Sequence, residues 1–198
     1  GEQQETLDDK VAQINAQFPG VATISATDAL ELRNTADVVW VDCRDKAEVV
    51  DGDQPVPRYA LSAHKHLFFR FSTHQRDVST IANAIPEREF RPERDVPGGA
   101  TVEAYCTVGY RSAQFCEKQK HLGVYNLEGG ILAHVAHGGE VVGPDGKTTN
   151  ELHCWGPSFR RFAPPQYRTR SYSTLNSVLA LPKLYLRKFF LDGGVLPR

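Results

Sequence analysis

Leu7, Val11, Ile14 and Phe18 recur at the spacing that lines one face of a helix, and Pro19-Gly20 stops the pattern. This predicts an N-terminal helical extension over residues 1–20 whose apolar face packs. Val21-Ala22-Thr23-Ile24 reads as a short strand, and Ser25-Ala26-Thr27-Asp28 as a capping box that opens a helix running to about Asn34. Val38 to Cys43 is a nearly continuous apolar run, which suits a central parallel strand covered on both faces. Arg44 to Val50 is predicted as a short helix, Gly52 to Pro57 as a turn-rich loop and Tyr59 to Ser62 as a strand. Leu67, Phe68, Phe69 and Phe71 form an aromatic cluster that reads as core. Val78, Ile81, Ala82 and Ile85 fit a helix ended by Pro86, followed by a charged, proline-bearing loop from Glu87 to Gly99.

Thr101 to Tyr105 is β-branched and aromatic, bounded upstream by Pro97-Gly98-Gly99, and predicts a half-buried strand. The chain from Ser112 onward predicts a helix ending at Gly123, with Cys116 on its core side. Val124 to Leu127 is the last parallel strand, Gly129-Gly130 its turn and Ile131 to His137 a closing helix. Leu152 to Gly156 reads as packing at the domain edge, and Arg160-Arg161 as a solvated face. Strands alternating with helices predict an α/β fold, a parallel sheet flanked by helices on both faces, over residues 21–165.

Composition changes this picture at two places. In 198 residues, 40% are hydrophobic and 24% charged, enough for one domain with a full core plus extensions. Net charge is -1, so nothing pulls the chain as a whole toward nucleic acid. The charge is uneven, however: residues 166–198 hold six basic side chains and one acidic, interleaved with leucine and phenylalanine and broken by Pro182. This basic amphipathic tail reads as an arm that folds back on the domain or pairs with a second copy or another protein. An acidic partner or a membrane surface is the sharper alternative. The chain contains no methionine, which implies a processed or trimmed chain whose targeting segment, if any, is gone. No apolar run approaches the roughly 20 residues of a membrane-spanning helix.

The four cysteines, Cys43, Cys106, Cys116 and Cys154, form no C-x-x-C pair and show no zinc-ligand spacing, so neither a disulfide framework nor a metal is expected. An intracellular, reducing compartment follows, cytoplasm or an organelle. The pairs His64/His66 and His134/His137 lack a carboxylate or cysteine at fitting spacing. Cys106 stands apart from the other thiols. It falls between a predicted strand and a predicted helix, where free backbone N–H groups and the helix dipole stabilise an anion such as a thiolate. Cysteines so placed titrate at roughly 3.5 to 7.5 and become good nucleophiles. Gly109 permits a left-handed turn, and Arg111 adds a permanent cation that either braces the loop or meets an anionic substrate. An inert buried cysteine at a strand end is the plain alternative.

Cys106-Thr107-Val108-Gly109-Tyr110-Arg111-Ser112, followed by Leu122-Gly123-Val124-Tyr125-Asn126-Leu127-Glu128-Gly129-Gly130-Ile131, resembles the second half of a rhodanese domain, and Val38 to Arg44 with Glu48 resembles its first motif. The likeness covers roughly Val21 to Ala163. Two positions depart from the family pattern: Gly52 to Ala60 lacks the usual Gly-His-Ile-Pro-Gly-Ala, and His134 stands where a tryptophan is usual. The resemblance implies a sulfurtransferase in which Cys106 takes the outer sulfur of a donor such as thiosulfate and passes it to cyanide or a thiol, with no cofactor. It also implies that backbone N–H groups from Thr107 to Ser112 hold the persulfide, that Asp42 bonds into the loop or its helix, and that Arg44 and Glu48 form a supporting ion pair. Cys43 is then either a resolving thiol or core packing. A cysteine phosphatase or arsenate reductase, and a non-catalytic interaction module, are the other functions such a fold supports.

Overall fold

Thr6 begins helix α1 (Leu7–Gln17) with a complete capping box: its side chain accepts from the Asp9 N–H, and the Asp9 carboxylate accepts from the Thr6 N–H. The computed structural model describes residues 4–34, 37–44 and 79–171. The predicted helix after Arg44, the loop and strand that follow it, the aromatic cluster around Phe69, Glu48 and the tail beyond residue 171 lie outside the described residues.

Strand β1 (Thr23–Ile24) leads into α2 (Ala26–Leu32), capped by Ser25, whose hydroxyl accepts from the Asp28 N–H. The next elements are β2 (Val38–Asp42), β3 (Ile85–Pro86), the short α3 (Pro92–Asp95), β4 (Thr101–Tyr105), α4 (Tyr110–Lys118), β5 (Tyr125–Leu127) and α5 (Gly130–Ala136). Among the described residues, five strands form one parallel sheet in the order β1-β5-β4-β2-β3, with β4 at its centre. This is a parallel α/β architecture, as the strand and helix alternation predicts.

The chain before β3 departs from expectation. In place of a helix through Ile81 and Ala82, Thr80 makes an isolated bridge to Val142, Asn83 sits in the left-handed region at φ 64°, and Ile85-Pro86 joins β2 as an edge strand. Apolar residues four apart are compatible with a helix only if the intervening backbone is; the left-handed Asn83 interrupts it, and Pro86, with no N–H, fits a sheet edge. The predicted loop from Glu87 to Gly99 contains α3, with Pro92 at its first turn.

Alternation along the strands sends side chains to two cores. On one face, Val41, Cys43, Val102, Ala104 and Cys106 meet Phe115 and Cys116 of α4. On the other, Trp40 and Tyr105 meet Ile14 of α1, Ala29 of α2 and Ile131 and Leu132 of α5. His134, also on α5, packs edge-on against Trp40 at 5.9 Å and bonds through Nε2 to the Glu140 carbonyl. Beyond α5, β6 (Glu151–His153) pairs with β7 (Arg168–Arg170) in a separate two-stranded sheet, and a 3-10 turn (Pro157–Phe162) lies between them. Arg168–Arg170, within the predicted tail, is thus a strand. Arg161 reaches Glu5, just ahead of α1, at 2.9 Å.

Glu103 is the anomaly of this frame. It pairs with Trp40 across the β2/β4 ladder, is fully buried, and neither carboxyl oxygen has a hydrogen-bond partner; the Trp40 Nε1 and His134 Nδ1 atoms are buried and unpartnered too. Burial pushes the Glu103 carboxyl up to about 7. The folded state therefore holds this proton more tightly than the unfolded chain, and stability contributed by the protonated form is lost as pH rises from about 4.5 to about 7. At roughly 1.4 kcal/mol per unit, the loss is about 3 kcal/mol at most. Glu103→Gln is expected to remove that slope; denaturant titrations of both proteins at pH 5 and pH 8 check it, and parallel slopes would refute the assignment.

Candidate functional site

Cys106 follows the last residue of β4, at the carboxyl end of the central strand, where α/β sheets open their binding crevices. Its side chain is 1% exposed. The chain then turns through Thr107-Val108-Gly109 into α4, and the Gly109 N–H points at the Cys106 Sγ at 3.2 Å. Gly109 caps α4 at φ 103°, a conformation that side chains rarely adopt, and a Cβ there would lie 3.3 Å from the Leu127 carbonyl.

The other side of the loop is held by α5. The Ile131 N–H donates to the Cys106 carbonyl at 2.9 Å and the Leu132 N–H to the Thr107 carbonyl at 3.4 Å. Because a trans peptide aims its C=O and the following N–H in opposite directions, these bonds turn the amides of Thr107 and Val108 away from α5. The approach is close. A Cβ on Gly130 would sit 2.4 Å from the Cys106 oxygen, so the Gly129-Gly130 pair is required for contact as well as for the turn.

The loop side chains sort by role. Val108 packs in the α1 and α5 core, and Tyr110 meets Phe18 edge-on at 5.4 Å, so both anchor the loop to the N-terminal helix. Ser112 is fully buried in the first turn of α4, and its Oγ has no hydrogen-bond partner. Arg111 reaches back to the Thr107 Oγ1 at 3.5 Å, and its guanidinium carbon lies 5.0 Å from the centre of the Trp155 ring. Trp155 belongs to the segment predicted to pack at the domain edge. Nothing in its local pattern marks it, since its partner is remote in sequence.

A buried ionic network joins the carboxyl ends of β2 and β4. Arg44 grips Asp42 with two nitrogens, at 2.9 Å and 2.6 Å, and also donates to the Ser79 carbonyl at 2.9 Å. The Tyr105 hydroxyl donates to Asp42 at 2.9 Å and accepts from the Ile81 N–H at 3.2 Å. These hydrogen bonds of Asp42 run to Arg44 and Tyr105, and not into the loop as expected: the side chain points to the Trp40 face of the sheet, whereas Cys106 belongs to the α4 face. Arg44 likewise pairs with Asp42, while Glu48 is outside the described residues. Burial, then the charge of Asp42, raises the Tyr105 hydroxyl well above its ordinary range, so it stays a donor. Removing one member of such a pair leaves an uncompensated buried charge.

All four cysteines are buried and free. Burial pushes Cys116 and Cys154 up to about 12, and Cys43 well above the usual thiol value, helped by the charges of Glu87 and Asp42. Among the described residues, no three His, Cys, Asp or Glu side chains are grouped as a metal would need. No helix among them is long and apolar enough to cross a membrane.

The fold and the loop define an α/β protein with a buried cysteine under a helix N-terminus at the carboxyl end of its central strand. The chain is 34% identical over 118 residues to a sulfurtransferase of Allochromatium vinosum, an alignment covering 58% of this chain and 88% of that protein. It belongs to this sulfurtransferase family and carries a rhodanese-like domain. Among solved structures, a rhodanese-related protein of Thermoplasma volcanium matches at 22% identity and TM-score 0.39, covering 61% of this chain and 97% of that one. A protein of unknown function from Rhodopseudomonas palustris, described as a possible tyrosine phosphatase, matches at 20% identity and TM-score 0.39, covering 71% and 97%. No family model matches the chain.

Proposed function

We propose that the protein moves sulfane sulfur from a thiosulfate-type donor to cyanide or a thiol through a persulfide on Cys106. The observation that supports this most directly is the Gly109 N–H aimed at the Cys106 Sγ inside a loop whose carbonyls are engaged by α5. In the first half-reaction the Cys106 thiolate attacks the outer sulfur of thiosulfate. A new S–S bond forms, the S–S bond of thiosulfate breaks, and sulfite leaves with the electron pair. In the second, cyanide or a thiolate attacks the outer sulfur of the persulfide; the S–S bond to Cys106 breaks, its electron pair returns to the Cys106 thiolate, and thiocyanate or a new persulfide is released. No external oxidant is needed. The anion that persists between the two steps is the terminal sulfur, and preorganised N–H donors stabilise it without reorganising. Burial holds Cys43, Cys116 and Cys154 as neutral thiols.

Loop length separates this reading from phosphate chemistry. A cysteine phosphatase loop places five residues between cysteine and arginine, enough to ring a phosphate with N–H donors. Here four intervene, Thr107 to Tyr110, and Ser112 stands where that arginine would fall. The shorter ring suits one sulfur atom. Treatment with thiosulfate is expected to leave Cys106 heavier by one sulfur atom in an intact-mass spectrum, with no turnover of p-nitrophenyl phosphate or arsenate. Hydrolysis of the phosphate ester that depends on Cys106, with no persulfide, would sink the proposal.

A further inference from the structure

Arg111 is held from outside the five-stranded sheet. Trp155 follows β6, and its flanks are fixed: Leu152 and Cys154 are buried in the core, and the Cys154 N–H donates to the Arg170 carbonyl of the β7 strand at 2.7 Å. The indole is therefore placed by the fold before any substrate arrives. Its face lies 5.0 Å from the Arg111 guanidinium, within the range of a cation–π contact. The same guanidinium reaches the Thr107 Oγ1 through one of its N–H donors. Arg111 is the second residue of α4, whose first free amides include the one on the Cys106 sulfur. A long, mobile cation is thus ordered beside the cradle by a residue of the separate two-stranded unit.

We propose that Trp155 is a positioning residue that fixes Arg111 beside the sulfur cradle and so selects an anionic sulfur donor over an uncharged one. The proposal deepens the sulfur-transfer reading and rests on it. An arginine that must be ordered at the moment of binding loses side-chain entropy then; one already held against the indole does not. The advantage applies to thiosulfate, a dianion that gains from the fixed charge, and not to diallyl trisulfide, which has no charge to meet it.

Steady-state kinetics with both donors test it in the full chain. Trp155→Leu keeps apolar bulk but removes the π face, and is expected to raise the KM for thiosulfate about tenfold with kcat within about twofold, while diallyl trisulfide turnover changes by less than about twofold. Trp155→Phe restores a ring and is expected to bring the thiosulfate KM back to within about threefold of the parent. Equal losses with both donors, or a leucine variant indistinguishable from the parent, would overturn the proposal. Calorimetric binding of thiosulfate to Cys106→Ser, with and without Trp155→Leu, separates it from the reading on which it rests. Absence of any Cys106 persulfide would end the sulfur-transfer reading alone. Thiosulfate affinity that is the same with and without the leucine substitution would end the Trp155 proposal.

Discussion

Cys106→Ser is expected to lose sulfur transfer from thiosulfate to cyanide by about three orders of magnitude or more, while folding as the parent does. A serine hydroxyl is not ionised near neutral pH and its oxygen cannot form the S–S bond on which the intermediate depends. The fold should tolerate the change because the substitution is nearly isosteric and the Gly109 N–H, now 3.2 Å from the sulfur, can donate to the oxygen instead. Cyanolysis rates, with circular dichroism as the control for folding, measure both halves of the statement. Full activity in the serine variant would remove Cys106 from the mechanism. The same substitution at Cys43, Cys116 or Cys154 is expected to leave most activity, since burial keeps those thiols protonated.

Gly130→Ala should damage the site through its backbone. The new methyl would lie 2.4 Å from the Cys106 oxygen and 2.8 Å from the Thr107 carbonyl carbon, both backbone atoms with no rotamer to yield, and φ at this residue is +56°. Either the first turn of α5 or the Cys106 loop must move, and the Ile131 and Leu132 hydrogen bonds that orient the loop go with it. A destabilisation of roughly 3 kcal/mol or more is expected, with loss of persulfide formation. Gly138→Ala is the comparison: its φ is +86°, yet nothing lies within 4 Å of the added methyl, so only the backbone penalty of about 1–2 kcal/mol remains, with sulfur transfer retained. Thermal melts and intact-mass spectra of the two variants distinguish contact from conformation. Equal melting points, or normal persulfide formation in Gly130→Ala, would show that α5 does not hold the loop.

The loop was legible because its requirements are local. A strand of β-branched and aromatic residues, then cysteine, glycine and arginine at fixed spacing, is a pattern within a dozen residues, and the structure places Cys106 and the Gly109 turn as that pattern implies. The capping box at Thr6 and Asp9 is equally local and was open to the same reasoning. The helix predicted through Ile81 failed for the opposite reason. Its apolar spacing served both a helix and a chain whose residues pack singly, and the choice lay with the left-handed Asn83 and the edge pairing of Ile85-Pro86 to β2.

The partners of Asp42 and Arg111 belong to a third class. Asp42 sits one residue from Cys43, yet the pleat sends the two side chains to opposite faces, so its carboxylate meets Arg44 and Tyr105 and stays away from the sulfur. Arg111 meets Trp155 only because β6 and β7 pair beyond the main sheet and carry the indole to the loop. By itself the sequence determined the alternation of strands and helices, the cysteine at the strand end and the length of its loop, since these depend on residue type and spacing within one or two turns of chain. Tertiary structure alone decided which side chains surround the sulfur, where the buried charges pair and why Gly130 must be glycine. Those contacts join segments far apart in the chain, and only packing sets the distances between them.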